Sequence, residues 1–148
     1  NKVDLTEEFT PELAEAYRMG LYAEMPYLDF APFIMISAKE GDGINKIYKE
    51  LGKVMEAYYK VIPDEELDAL ITKLINKRPP PPVANERPKV IKFYQKHPAP
   101  PVFNIGVKHH RADRIPQHWK NYIKNSIRKE FGFYGVPLEV NIYRERRL

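Results

Sequence analysis

The stretch RKEFGFYGVPLEV (residues 128–140) joins a basic helix to a strand through a turn with two glycines. Apolar residues recur at helical spacing over 116–131, just upstream of the turn. Gly132 then supplies the left-handed conformation that commonly ends a helix, because it has no Cβ to clash. Downstream, LEVNIYRE (138–145) alternates apolar and polar residues, which predicts a strand with one buried face. The stretch therefore predicts a helix, a cap, a turn and a strand.

The two glycines also spell GxxG at residues 132–135, the pattern of the loop by which KH domains hold a nucleic acid backbone. That loop joins two helices and usually holds a basic residue. Here the four residues join a helix to a strand and enclose two aromatic side chains. We therefore interpret them as a helix cap and turn.

The segments before this stretch complete a small domain. A helix is predicted to begin at Pro63 and to end at the four prolines of 79–82. Two strands, 89–96 and 102–108, follow and are expected to pair as a hairpin. The second half of the chain is therefore predicted as α-β-β-α-β, a small sheet with helices packed on it.

Eight of the 14 prolines lie between residues 79 and 101. Such a density is also found in disordered linkers and in ligands of proline-binding domains. These prolines bracket a regular strand, however, and do not form a continuous tract. We interpret them as rigid ends of secondary-structure elements.

The pattern of residues in the first half of the chain predicts the last part of an α/β domain. Thr10 and Pro11 are typical of a helix start. The short apolar run 33–36 is typical of a buried parallel strand, and after the loop GDG a second helix should extend from Ile44 to about Val61. We place the domain boundary between residues 1–62 and 63–148.

Composition restricts the class of protein. The chain has 148 residues, of which 43% are apolar and 30% charged, typical of an ordered globular protein. It has no cysteine, which excludes disulfides and thiolate metal sites and suits the reducing cytoplasm. No apolar run approaches the roughly 18 residues of a membrane span. We expect a cytoplasmic protein without a membrane contact.

The charges are divided unevenly between the halves. Residues 1–62 hold 7 Lys/Arg and 11 Asp/Glu, whereas residues 63–148 hold 17 and 9. The net charges are therefore −4 and +8. A basic second half favours a polyanionic partner for that half alone.

Two short motifs indicate guanine recognition. NKVD (1–4) ends in a carboxylate, which can accept both the N1–H and the exocyclic amine of guanine. The Asn would tie the loops together and the Lys stem would lie along the base. SAK (37–39) follows the predicted strand, where the Ala backbone N–H would contact guanine O6 and the Lys would cover the other side of the base. The predicted base-binding residues are Asn1, Lys2, Asp4, Ser37, Ala38 and Lys39.

These motifs resemble the fourth and fifth nucleotide motifs of P-loop GTPases. YLDFAPFIMISA (27–38), PPPP (79–82) and the stretch 128–140 resemble the Der (EngA) family of double GTPases that assemble the large ribosomal subunit. The resemblance implies the C-terminal part of a P-loop GTPase domain followed by a KH-like domain. It also implies GTP or GDP with Mg²⁺ in the intact protein. The implied partners are the large subunit, its rRNA and the other GTPase domains of the protein.

The sequence departs from the family's pattern in two places. Val3 stands where Trp is common, and KHHRAD (108–113) replaces a shorter acidic turn, which puts any inherited contact of that loop in doubt. The chain also lacks GxxxxGK[ST], a switch threonine and DxxG. Because phosphoryl transfer depends on those parts, we expect a fragment that does not hydrolyse GTP alone. The alternatives are a stand-alone KH-type RNA-binding module and an Era-like GTPase, which keeps a genuine KH clamp.

Lys120, Lys124 and Arg128 lie at i, i+4 and i+8 on the basic helix. A solvated helix face explains this spacing, and contact with rRNA phosphates is the alternative. Further basic residues of the same half are Lys108, Arg111, Arg114 and the RERR run of 144–147. His109 and His110 are adjacent, but without thiolates and with few nearby acids we expect no metal site.

Overall fold

A computed structural model describes residues 1–6 and 10–145. The chain forms two compact units, Asn1–Glu56 and Ala57–Leu148. The described residues hold four α-helices and one three-stranded sheet. The boundary predicted after residue 62 stays a prediction.

The first unit is built on two helices. Helix α1 spans Pro11–Glu24, and the side chain of Thr10 caps it by accepting the N–H of Leu13 at 3.2 Å. Helix α2 spans Ile44–Tyr58 and so continues past the end of this unit. Both helices were predicted, and α1 begins as expected because Thr10 accepts an N–H that the first turn leaves without a partner.

The strand predicted at residues 33–36 is absent, and that prediction was wrong. The carbonyl oxygen of Ile36, at the end of this run, accepts the N–H of Val3 at 3.2 Å. A strand requires a neighbouring strand to complete its hydrogen bonds. Within the described part of the first unit, no strand is assigned, so the apolar run lies half-buried without a ladder.

The first unit buries little. Ser37 is its one buried residue among those described. Apolar side chains on α2 that mark a helical face, such as Leu51 and Met55, are 52% and 44% exposed. The predicted helix is therefore present, but Leu51 and Met55 on its apolar face are largely exposed to solvent.

The second unit has the predicted α-β-β-α-β order. Its elements are α3 (Asp64–Lys77), β1 (Lys89–His97), β2 (Val102–Lys108), α4 (Gln117–Phe131) and β3 (Glu139–Arg144). The sheet order is β1-β2-β3. As predicted, β1 and β2 form an antiparallel hairpin, whereas β3 returns through α4 to pair parallel with β2.

Both helices of this unit pack on one face of the sheet. Leu67 and Leu74 of α3 and Trp119 of α4 share a core with Phe93 and Phe103 of the strands. The indole N–H of Trp119 donates to the carbonyl oxygen of Arg78 at 3.1 Å, so its one polar atom is satisfied. The remaining core members are mostly aliphatic side chains: Ile62, Leu70, Ile71, Val83, Ile105, Val107, Ala112, Ile115, Ile123, Ile127, Phe133 and Leu138.

Gly132 ends α4 as predicted. Its φ is 68° and its N–H donates to the carbonyl oxygen of Arg128 at 2.9 Å. Phe133, the next residue, is fully buried and packs edge-on against Phe103, with ring centroids 5.7 Å apart. The GxxG residues are therefore a cap and a core anchor, which confirms the interpretation as a cap and turn.

None of the helices in the described parts of the chain is both long enough and apolar enough to cross a membrane.

Candidate functional site

The two motifs of the first unit lie side by side. The hydroxyl of Ser37 donates to Oδ1 of Asp4 at 2.6 Å. The backbone N–H of Ala38 donates to the side-chain Oδ1 of Asn1 at 3.1 Å. These two hydrogen bonds directly join residues that lie 33 and 37 positions apart in the sequence.

The first motif is shaped by its backbone. Lys2 adopts the left-handed conformation, with φ 68° and ψ 36°, and leads into a 3₁₀ turn at Val3–Leu5. Its N–H donates to Oδ1 of Asn1 at 2.7 Å, which is the same oxygen that accepts from Ala38. The side chain of Asn1 therefore contacts both motif loops, while its part in base binding stays a prediction.

The second motif lies on a tight loop. The N–H of Ser37 donates to the carbonyl oxygen of Asp42 at 3.0 Å, and its hydroxyl accepts the N–H of Glu40 at 3.2 Å. Gly43 closes the loop with φ 77°, where a Cβ would lie 2.6 Å from the carbonyl oxygen of Met35. Only glycine fits there without displacing backbone. The loop holds Ser37 fully buried, with its hydroxyl on Asp4.

The resulting arrangement suits an acceptor site for paired donors. Asp4 is exposed, and the hydrogen bond from Ser37 fixes the direction of its carboxylate. A carboxylate held in this way can accept two neighbouring N–H groups of a planar ligand. Lys39 is exposed and pairs with Glu40 at 3.1 Å, so its stem is at the surface beside the loop.

The structure differs from the sequence analysis at Ala38. Its N–H was expected to bind guanine O6, whereas here it is donated to Asn1. An oxygen of a ligand at this position has to share that N–H or replace Asn1. The roles of all six predicted base-binding residues stay predictions.

The basic stripe on α4 is not uniform. Lys120 and Lys124 are half-buried. The guanidinium of Arg128 donates to the carbonyl oxygen of Phe133 and, at 2.8 Å, to that of Val136. Arg128 thus holds the turn after α4 against the helix, and these two hydrogen bonds leave its guanidinium fewer donors for a phosphate. The assignment of Lys120, Lys124 and Arg128 to a phosphate contact stays a prediction.

The remaining basic residues of the second unit are dispersed. Lys108, Arg111, Arg114 and Arg144 are exposed. Arg146 and Arg147 of the RERR run lie outside the described residues.

The structure brings Glu86, His109 and His110 together, with one potential ligand atom of each within 4.8 Å of the others. The imidazole of His109 is buried and its Nδ1 accepts the N–H of Arg111 at 3.1 Å. A neutral ring that accepts at Nδ1 carries its proton at Nε2, which faces Glu86 at 3.7 Å. This tautomer offers a metal no lone pair, and the prediction that the chain has no metal site stays a prediction.

Sequence analysis missed a group of side chains on the sheet face opposite the helices. The amide of Asn104 donates to the hydroxyl of Tyr94 at 3.2 Å, and Lys92 lies 4.7 Å from the centroid of the Tyr94 ring. The pKa of Tyr94 is lowered by its hydrogen bond with Asn104, by its hydrogen bond with Tyr143 and by the charges of Lys92 and Lys96. Burial and the Glu145 carboxylate raise the pKa of Tyr143.

One signal in the sequence could have found this group. Residues 87–112 contain six Lys/Arg and no Asp/Glu, although the chain as a whole has almost as many acidic as basic residues. Strand alternation alone could have placed some of these lysines with the tyrosine, but two bulges in β1 shift the alternation.

Known proteins resemble both the second unit and the chain as a whole. Residues 62–142 match the KH-domain-like family found at the C-terminus of EngA bacterial GTPase enzymes. Over 147 residues, 99% of its length, the chain is 30% identical to "GTPase Der" of Clostridium kluyveri. It is 29% identical to "GTPase Der" of Gemmatimonas aurantiaca over 145 residues, 98% of its length. In both cases it spans 33% of the relative, about a third of its length.

Proposed function

The chain belongs to the EngA (Der) family of bacterial GTPases through its KH-like C-terminal domain, and from this we propose that it is the base-recognition end of a GTPase domain joined to a KH-like domain. The whole protein would be a cytoplasmic GTPase that acts in assembly of the large ribosomal subunit. Its nucleotide is GTP or GDP. The KH-like domain would contact rRNA or the other GTPase domains of the protein.

The observation that carries the guanine proposal is the pair of hydrogen bonds between the motifs. Ser37 fixes the carboxylate of Asp4, and Asn1 fixes the loop of Ala38. Because a site organised before binding loses less conformational entropy on binding, these bonds support base recognition at this end of the chain. The charges that would bind Mg²⁺ and the phosphates belong to motifs that this chain does not contain.

The test is a nucleotide-specificity switch in the longer protein. We expect Asp4→Asn to weaken GTP and GDP binding by about 1–3 kcal/mol, because the amide directs a donor at one of the donors of guanine. XTP carries a carbonyl at that place and should bind the variant relatively better. Fluorescence titration with labelled GTP and XTP measures both affinities.

Asp29→Asn is the matched control, since Asp29 is also an exposed aspartate of the first unit. This control should keep the wild-type preference for GTP. If Asp4→Asn also keeps that preference, the role given to Asp4 is wrong.

A further inference from the structure

The face of the sheet that carries Tyr94 has no helix on it within the described part of the second unit. Helix α3 packs against β1 and α4 against β3, and both contribute to the core on the opposite face. On the open face, Tyr94 is paired in register with Asn104, and Lys92 with Gly106. We call the β1 and β2 part of this surface the hairpin face.

The hairpin face is basic. Lys92 is exposed and lies 4.7 Å from the centroid of the Tyr94 ring. Lys96, two residues after Tyr94 on β1, is also exposed. No acidic residue occurs anywhere in 87–112. The carboxylate of Glu145, the residue after β3, approaches Gly106 of β2, and Glu139 of β3 accepts from Asn141 at 2.8 Å. A polyanion is therefore favoured along β1 and disfavoured beside Gly106 and along β3.

The hairpin face also has the chemistry that bases require. Tyr94 is a half-buried aromatic ring held by the amide of Asn104, so its orientation is fixed. Aromatic rings on a sheet stack nucleobases, and lysines beside them contact the phosphates.

We propose that the hairpin face binds single-stranded RNA, with Lys92 and Lys96 on phosphates and the ring of Tyr94 against a base. This inference rests on the proposed contact with rRNA and moves its centre from α4 to the sheet. It does not depend on the guanine site.

The test measures binding of the 148-residue chain to a fluorescein-labelled single-stranded oligouridylate of about 12 nucleotides, by anisotropy at several salt concentrations. We expect the double variant Lys92→Gln/Lys96→Gln to lose at least about tenfold in affinity and to flatten the salt slope by about 1.4, since each phosphate contact on a single strand adds about 0.7. The matched control is Lys73→Gln/Lys77→Gln, which removes the same charge from two exposed lysines of α3. The control should retain the affinity and slope of the parent. A further variant, Lys120→Gln/Lys124→Gln, tests the alternative contact on α4.

The ring is tested separately. Tyr94→Leu keeps the charge and should weaken binding by about 5- to 150-fold, the range of a lost stacking contact, whereas Tyr94→Phe should retain most of the affinity. The fluorescence of Trp119, the single tryptophan of the chain, checks that each variant is folded.

Each other outcome overturns the proposal. Equal losses in the hairpin-face variant and the α3 control indicate diffuse electrostatic attraction, and unchanged affinity in Tyr94→Leu removes the stacked base. Loss in the α4 variant alone leaves the proposed rRNA contact in place and moves it to the helix. No binding by the unaltered chain overturns the RNA contact as a whole, whereas the guanine proposal is decided by Asp4→Asn. Binding to phosphatidylserine vesicles but not to RNA indicates a lipid surface instead.

Discussion

The side chain of Arg128 stabilises the turn after α4 through carbonyl groups that lie five and eight residues further along the chain. Its guanidinium donates to the carbonyl oxygens of Phe133 and Val136, both of which belong to buried residues. When a charged donor is removed, a buried carbonyl oxygen is left without a hydrogen-bond partner, and this costs free energy. We therefore expect Arg128 to contribute mainly to the stability of the turn after α4 and not to recognition of a ligand.

We expect Arg128→Gln to lower the free energy of unfolding by about 1.5–3 kcal/mol, because the two carbonyls lose hydrogen bonds from a charged group. Helix propensity changes little between Arg and Gln. Urea denaturation followed by the fluorescence of Trp119, which is fully buried, measures the change.

Lys124→Gln, one turn earlier on the same helix, is the control and should stay within about 0.5 kcal/mol of the parent. Equal stability of the two variants would show that Arg128 is as dispensable as an ordinary surface cation.

At the scale of the element, α4 depends on how it ends. Gly132 has φ 68° and its position leaves open space where a Cβ would stand. Any cost of a substitution there comes from the backbone conformation and not from a steric clash with neighbours. A substitution at Gly132 therefore measures the free-energy cost of the left-handed backbone conformation, which joins the helix to the turn that follows it.

We expect Gly132→Ala to lower the free energy of unfolding by roughly 1–2 kcal/mol, since an L-residue with a Cβ is strained in the left-handed region. Gly132→Asn should cost less, because Asn tolerates that region better. Thermal denaturation followed by circular dichroism compares the two variants. If Ala costs no more than Asn, the left-handed cap is not what ends the helix in solution.

At the scale of the whole molecule, the two units differ in how much they bury. The second unit holds a closed core with Phe103, Trp119 and Ile123 fully buried. In the first unit, Ser37 is the one buried residue among those described. Protection of backbone amides follows burial and local stability, so the units should respond differently to the same conditions.

We expect amide hydrogen exchange of the 148-residue chain to be slowest in β2 and faster by about 100-fold or more in α1. Mass spectrometry of peptides covering α1 (Pro11–Glu24) and β2 (Val102–Lys108) measures both rates in one sample. Equal protection of the two elements would mean that the first unit is as stable as the second and would contradict the contrast drawn here.

Local patterns in the chain were enough to predict the elements of the second unit and the two motifs of the first. Helix caps, proline stops and alternation depend on neighbours in the chain, so α3, β1, β2, α4 and β3 could be predicted close to their observed bounds. The motif residues could be named for a similar reason, because each motif is a short run with a fixed chemistry.

Which side chains are available to a ligand depends on contacts between segments that are distant in the chain. Arg128 shares the helical spacing of Lys120 and Lys124, but a loop folded back after Gly132 brings two carbonyls to it. The run 33–36 has the composition of a strand, but a strand forms only beside another strand. Tyr94 and Asn104 lie ten residues apart and meet because of a hairpin register that two bulges adjust. Contacts of this kind depend on which segments lie next to each other in space, and patterns local to the chain do not contain that information.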